Sequence, residues 1–287
     1  MARPRIQLLA SLLALWAGAA GAGPVSPPLS PVAFTSAGRE GGKEVALGSS
    51  QRGQRPPVDP LTGPRSPLTK DWIGLREVPA NTPILVMAGH ADSQNHKGPG
   101  TRGEAVALRG AAPMRAGISD ELYWNVVISH AVVRLGQQRG LSIRFHRPPF
   151  LNVVDGDAPG TNWTTGRNHA ARGGYAMEIH FDAYGPDGVG SGLIPAALRP
   201  FSRLDESLAE EFGAYPMAYR NVLGGPRRGI SLLEIGKLEG RLEASLRSPR
   251  LRAQTVQTIA TRVVNALERG LGRADRPTQS ATDAALR

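Results

Sequence analysis

The 287-residue chain contains no cysteine, and only 5% of it is aromatic. The first absence removes a disulfide scaffold, thiolate zinc sites, iron–sulfur clusters and a cysteine nucleophile together, so any metal must sit on His and carboxylate. No H-E-x-x-H pair is present, which excludes the helix-borne zinc site of that type. The apolar run at residues 6–16 is too short to span a bilayer. Acid is scarce relative to base: 24 Asp+Glu face 34 Lys+Arg, a formal charge of +10. That balance suits an anionic partner, but with no basic-aromatic recognition motif nucleic acid is not the one expected.

What is over-represented is Gly and Pro, at 35 and 24 residues, well above average usage of roughly 12% for the two together. Their placement organises the chain. Residues 1–22 run from Arg3 and Arg5 through an apolar stretch to Ala20-Gly-Ala22, the order of a secretory signal peptide. Export to the periplasm or the exterior follows, with an uncleaved anchor in the same compartment as the alternative. Residues 23–70 show neither a 3.6 nor a 2 period and are dense in Pro, Gly and Ser, so they read as a disordered linker. Residues 273–287 read as a disordered tail. Between them, 71–272 has the size of one domain and no internal repeat.

Within it, apolar runs at 83–87, 141–145, 175–180 and 229–234 predict strands. Helices are predicted at 120–138 behind Ser119, near 165–172, behind Ser202, and from Ser248-Pro249 to Gly270. Strands alternating with helices imply a three-layer αβα sandwich, its mostly parallel central sheet covered by helices on both faces. Ligands bind such sheets at the carboxyl ends of the strands. His90, His180 and Glu234 all fall at predicted strand ends, and Glu121 opens the long helix in line with Asn125, Ile128, Val132 and Leu135.

Two imidazoles and a carboxylate with a fourth position open form the ligand set of a catalytic zinc site, and a further carboxylate can shuttle protons. His90, Glu121 and His180 would be the ligands and Glu234 the shuttle. Each has a plainer reading: a hydrogen-bonded loop histidine, a charge against the helix dipole, an imidazole paired with Glu178 or Asp182, and a carboxylate bridged to an arginine. The alternatives stay open on spacing alone.

The motifs in their order resemble those of the zinc-dependent N-acetylmuramoyl-L-alanine amidases. A strand ends in Gly-His, as in Ile84-Leu-Val-Met-Ala-Gly-His90; a helix opens E-x-x-x-N, as in Glu121-Leu-Tyr-Trp-Asn125; a strand ends in Ile179-His-Phe-Asp-Ala183; and an apolar-E-x-G motif reads Leu232-Leu-Glu-Ile-Gly236. The resemblance implies Zn2+ on His90, Glu121 and His180, Glu234 as general base and acid, and hydrolysis of the amide joining muramic acid to L-alanine in peptidoglycan. An activating protein partner is not legible. The chain departs from the family at His90-Ala-Asp-Ser-Gln94, Asp182 and Glu178, which add negative charge beside the expected metal. Another α/β zinc hydrolase, a carboxypeptidase or an N-acyl amino-acid amidohydrolase, and a catalytically silent envelope-binding protein of the same fold are the other readings.

Overall fold

Strand and helix alternate through the computed structural model, which describes residues 58–65, 67–68, 72–94, 98–197 and 199–273. In chain order the elements are β1 (Val58–Asp59), β2 (Gly63–Pro64), β3 (Ile84–Ala88), α1 (Glu104–Ala107), α2 (Asp120–Gln138), β4 (Ile143–His146) and α3 (Asn162–Ala171). There follow β5 (Tyr175–Asp182), β6 (Gly192–Ile194), α4 (Arg203–Phe212), α5 (Ala218–Val222), β7 (Ser231–Lys237), α6 (Gly240–Arg247) and α7 (Arg252–Gly270). The central sheet has the order β4-β3-β5-β7-β6, parallel throughout except for β6, which runs against β7.

The two faces of the sheet follow from period-2 alternation. Ile84, Val86, Met177, Ile179, Leu233 and Ile235 share one core with the inward sides of α2, α4 and α7. Along α7, Val256, Ile259, Val263 and Leu267 are buried, each burial worth about 1.5–3 kcal/mol before entropy is subtracted. Leu85, Met87, Ala176 and Leu232 form a smaller core on the opposite face with Trp163 of α3 and Tyr219 of α5. The protein is thus the three-layer αβα sandwich that the strand–helix alternation implies.

Helix ends are set by their neighbours in sequence. The Ser119 side chain accepts from Leu122 N and starts α2, and the Thr161 side chain accepts from Thr164 N and starts α3. Ser202 and Asp205 close a capping box on α4. Asp205 also accepts from the Tyr175 hydroxyl and the Ser231 hydroxyl, both at 2.8 Å, and so ties that helix to β5 and β7 from inside.

Several elements depart from the sequence reading or were not foreseen by it. Within the stretch read as linker up to residue 70, β1 and β2 pair as a hairpin, Asp59 lies 3.1 Å from Arg262, and Arg65 donates to Glu211 O. Strands of two residues are too short to carry a period in sequence. Strand β6 is three residues long, too short for a pattern. The stretch before Ser248-Pro249 is α6, and α7 begins at Arg252 after a turn in which Leu251 N donates to Ser248 O. Inside the Gly-rich stretch 91–119 lies the single turn α1. The expected signal peptide over 1–22, the linker up to 57 and the tail beyond Arg273 lie outside the described residues. No helix among the described residues is long and apolar enough to cross a membrane.

Candidate metal centre

Strand β5 is buried over its whole length, and the side opposite Met177, Ile179 and Phe181 carries Ala176, Glu178, His180 and Asp182. Strand β7 pairs with it so that Glu234 stands opposite His180. The sheet therefore brings a histidine and a glutamate side by side just past the end of β3, His180 near the carboxyl end of β5 and Glu234 at the middle of β7, not at its end as the sequence reading expected.

His90 follows β3 by two residues and has φ +62°, the one non-glycine residue with positive φ among those described. A β-strand would continue away from the sheet centre; the left-handed turn directs the chain back instead. Gly89 lets the His180 ring lie against this turn. A Cβ added at Gly89 would sit 2.2–2.5 Å from three atoms of that ring. Gly89→Ala must therefore displace His180, with an overpacking cost of about 1–3 kcal/mol. The expected result is a lower melting temperature together with loss of bound metal.

The first turn of α2 delivers Glu121 between the two imidazoles. Its Oε1 lies 3.2 Å from His90 Nε2 and 3.2 Å from His180 Nδ1, while its Oε2 accepts from Thr101 N at 2.7 Å. The three ligand atoms are all within 4.8 Å of one another. Tetrahedral coordination with arms of about 2.0–2.1 Å spaces ligand atoms about 3.3 Å apart, a spacing that the two separations from Glu121 Oε1 match, so the group could hold a cation with Glu121 offering one oxygen. His180 Nε2 faces Glu178 Oε2 at 3.3 Å. A proton on that nitrogen leaves Nδ1 its lone pair, the tautomer a metal ligand needs.

Without a cation the cluster carries its own balance of charge. Burial opposes the ionised form of Glu121, but the His90 and His180 imidazoles hold it well below the usual carboxylate range. Burial likewise opposes a charged His180, which Glu121 and Glu178 nonetheless raise well above its ordinary value. A proton on His180 thus supplies positive charge that a bound cation would replace, so metal uptake releases protons.

Glu234 is 8% exposed, and its Oε2 has no hydrogen-bond partner among the described residues. Burial, reinforced by Glu121, Asp182 and Glu178 and opposed by His180, pushes its carboxyl up to about 8. The folded protein then holds a proton on Glu234 that the unfolded chain releases above its ordinary 4.5. Its contribution to stability falls as pH rises from about 4.5 to about 8. Glu234→Gln is accordingly expected to raise the melting temperature of the metal-free protein at pH 9 and to leave it unchanged at pH 4, which thermal unfolding across pH measures.

All four residues singled out in the sequence, His90, Glu121, His180 and Glu234, meet at one place. The acidic departures divide. Glu178 touches His180 and belongs to the centre. Asp182 accepts from Ala183 N, Val189 N and Gly190 N at 2.6–2.7 Å, so it clamps the loop after β5. Asp92 accepts from Asn162 N at 2.8 Å, and burial pushes its carboxyl up. His146 and His169 are spent on the carbonyls of Gly160 and Pro83. Arg167 pairs with Asp157. Asn162-Trp-Thr164 has the form of a glycosylation triplet, but Asn162 is buried and donates to Ala88 O. Tyr215 is a residue the sequence did not point to: burial and the nearby Glu234 and Asp182 carboxylates raise its phenol and keep it protonated.

No family profile matches the chain, and no curated protein does. Solved structures do. The catalytic domain of CwlV, an N-acetylmuramoyl-L-alanine amidase from Bacillus (Paenibacillus) polymyxa var. colistinus, aligns at TM-score 0.44 and 14% identity over 65% of this chain and 96% of that one. The apo form of the N-acetylmuramyl-L-alanine amidase Ami1 from Mycobacterium abscessus aligns at 0.40 and 15% over 64% and 98%. The CwlD amidase from Clostridioides difficile, solved in complex with the GerS lipoprotein, aligns at 0.43 and 14% over 67% and 99%. At these levels of similarity the functional reading rests on the residues of this chain.

Proposed function

We propose that the protein is an exported, zinc-dependent amidase that hydrolyses the bond between the lactyl group of N-acetylmuramic acid and L-alanine in peptidoglycan. The observation that carries this reading is the convergence of His90 Nε2, Glu121 Oε1 and His180 Nδ1, with Glu234 across the β5–β7 pair from His180. The ordered motifs around these residues and the basic, signal-like start of the sequence support the substrate and the compartment.

His90, Glu121 and His180 would hold the ion, which when bound supplies Lewis acidity and water activation. Glu178 fixes the tautomer and ring orientation of His180 through Nε2. Glu234 accepts the proton of the attacking water on its unpartnered Oε2 and returns it to the departing amine of L-alanine. Burial keeps this carboxyl protonated in the metal-free protein, and the positive charge of a bound cation would favour the ionised form that accepts the proton.

The test is digestion of purified sacculi by the metal-loaded full chain. Release of intact stem peptides with a free N-terminal L-alanine, together with one zinc per chain, is the expected result. Release of single amino acids assigns a carboxypeptidase, and binding to sacculi without release assigns a silent envelope-binding protein; either overturns the proposal.

A further inference from the structure

Three consecutive backbone carbonyls lead from β3 into the candidate metal centre, and each accepts from a different buried side-chain amide. Asn162 Nδ2 donates to Ala88 O at 2.8 Å, Asn125 Nδ2 to Gly89 O at 3.1 Å, and Gln94 Nε2 to His90 O at 2.9 Å. None of the three side chains is more than 9% exposed. They come from three separate places: the first turn of α3, α2 one turn beyond Glu121, and the loop after His90. A carbonyl can only accept, so the nitrogen end of each amide must face the strand.

We propose that Gln94, Asn125 and Asn162 form an amide cradle that holds residues 88–90 in the backbone course from which His90 reaches Glu121 and His180. The inference rests on the metal-site reading given above and assigns these three as positioning residues. Beyond the last β3 ladder bond, the chain must leave the sheet and turn left-handed at His90. Each of the three carbonyls receives one side-chain amide, and His90 O also accepts from Ser93 N at 3.4 Å within the turn. Gln94 does more than the others. Its second amide hydrogen goes to Pro99 O at 2.8 Å, and its Oε1 accepts from Ser119 N at 2.8 Å. Ser119 caps α2, the helix that carries Glu121. One side chain therefore joins the backbone of one ligand to the helix start that presents the next.

The arrangement is costly to the fold by itself. Asn125 and Asn162 each leave Oδ1 buried with no hydrogen-bond partner among the described residues. An apolar residue of similar shape would avoid that desolvation, so the amides are better explained by what they orient than by what they stabilise.

The experiment compares zinc affinity, by competition with a chelator, and the cobalt-substituted absorption spectrum for the wild-type full chain and four variants. Gln94→Met and Asn162→Leu each remove donors of the cradle. Gln94→Glu removes the donors but keeps the acceptor for Ser119 N. Gln137→Met is the control, because Gln137 donates to the Ile143 carbonyl at 3.1 Å far from the centre. Gln94→Met and Asn162→Leu should bind zinc roughly 10–100-fold more weakly with an altered cobalt spectrum, Gln94→Glu should not recover, and Gln137→Met should match the wild type. Affinities within twofold of wild type, or recovery in Gln94→Glu, overturn the cradle. If Gln94→Met does not fold, Asn162→Leu decides. If the wild-type chain binds no zinc, the metal reading fails instead, and crystals of the metal-free variants decide: His90 leaving φ near +62° supports the cradle, and His90 unmoved overturns it.

Discussion

Glu234→Gln is expected to lower kcat on sacculi by roughly 10²–10⁴-fold, the general range for loss of a positioned acid–base group, with KM and zinc content unchanged. The substitution keeps shape and volume. Glu234 is not among the three converging ligand atoms, so an amide there does not disturb them. What it loses is the ability to take a proton from water and hand it to the leaving amine. Its place in the register makes the role specific: it stands directly opposite His180 on the neighbouring parallel strand, with one oxygen buried and uncommitted. The measurement is steady-state release of stem peptides from metal-loaded enzyme alongside metal analysis. A variant that turns over as fast as wild type removes Glu234 from the chemistry, and one that loses its zinc moves it into the ligand set.

Glu121→Ala is expected to have a still broader effect, abolishing stoichiometric zinc binding and with it all turnover. Its Oε1 is the atom both imidazoles face, each at 3.2 Å. Removing it leaves two neutral ligands whose ring centroids are 5.0 Å apart, without the anion that neutralises the cation. The fold should survive, because His180 keeps Glu178 on Nε2 as a partner after Glu121 is removed. Zinc content after dialysis below about a tenth of wild type, with an unchanged far-ultraviolet circular dichroism spectrum, is the expected result. Full zinc retention would show that Glu121 is a charge beside the imidazoles and not a ligand.

The parts of this protein legible in sequence are those whose meaning is local. The buried strands announce themselves as short apolar runs, and α2 carries both its Ser119 cap and its periodic face. Strand-end positions likewise place His90 and His180 on one edge of the sheet, with Glu234 beside them at the middle of β7. What escaped was set by distant partners. The β1–β2 hairpin looks like more linker until Asp59 meets Arg262. Asn125 sits within an apolar stripe, and nothing in the spacing shows that its amide reaches Gly89 O. Gln94 and Asn162 are ordinary polar loop and cap residues until the β3 carbonyls arrive beside them. Glu178 and Asp182 are both acidic neighbours of His180 in sequence, and only the structure separates the one that touches the imidazole from the one that clamps a loop.

The placement of α7 also bears on how the site comes into being. This helix holds none of the four central residues, yet it packs against α2, the helix that presents Glu121, and against α4. The parallel pairs β3–β5 and β5–β7 likewise bring together residues far apart along the chain. Such contacts are slow to form, because long loops must close before any pairing is rewarded. No early, local piece of the chain can assemble the donor set. The donor set of His90, Glu121 and His180 is then complete only once the sheet has closed.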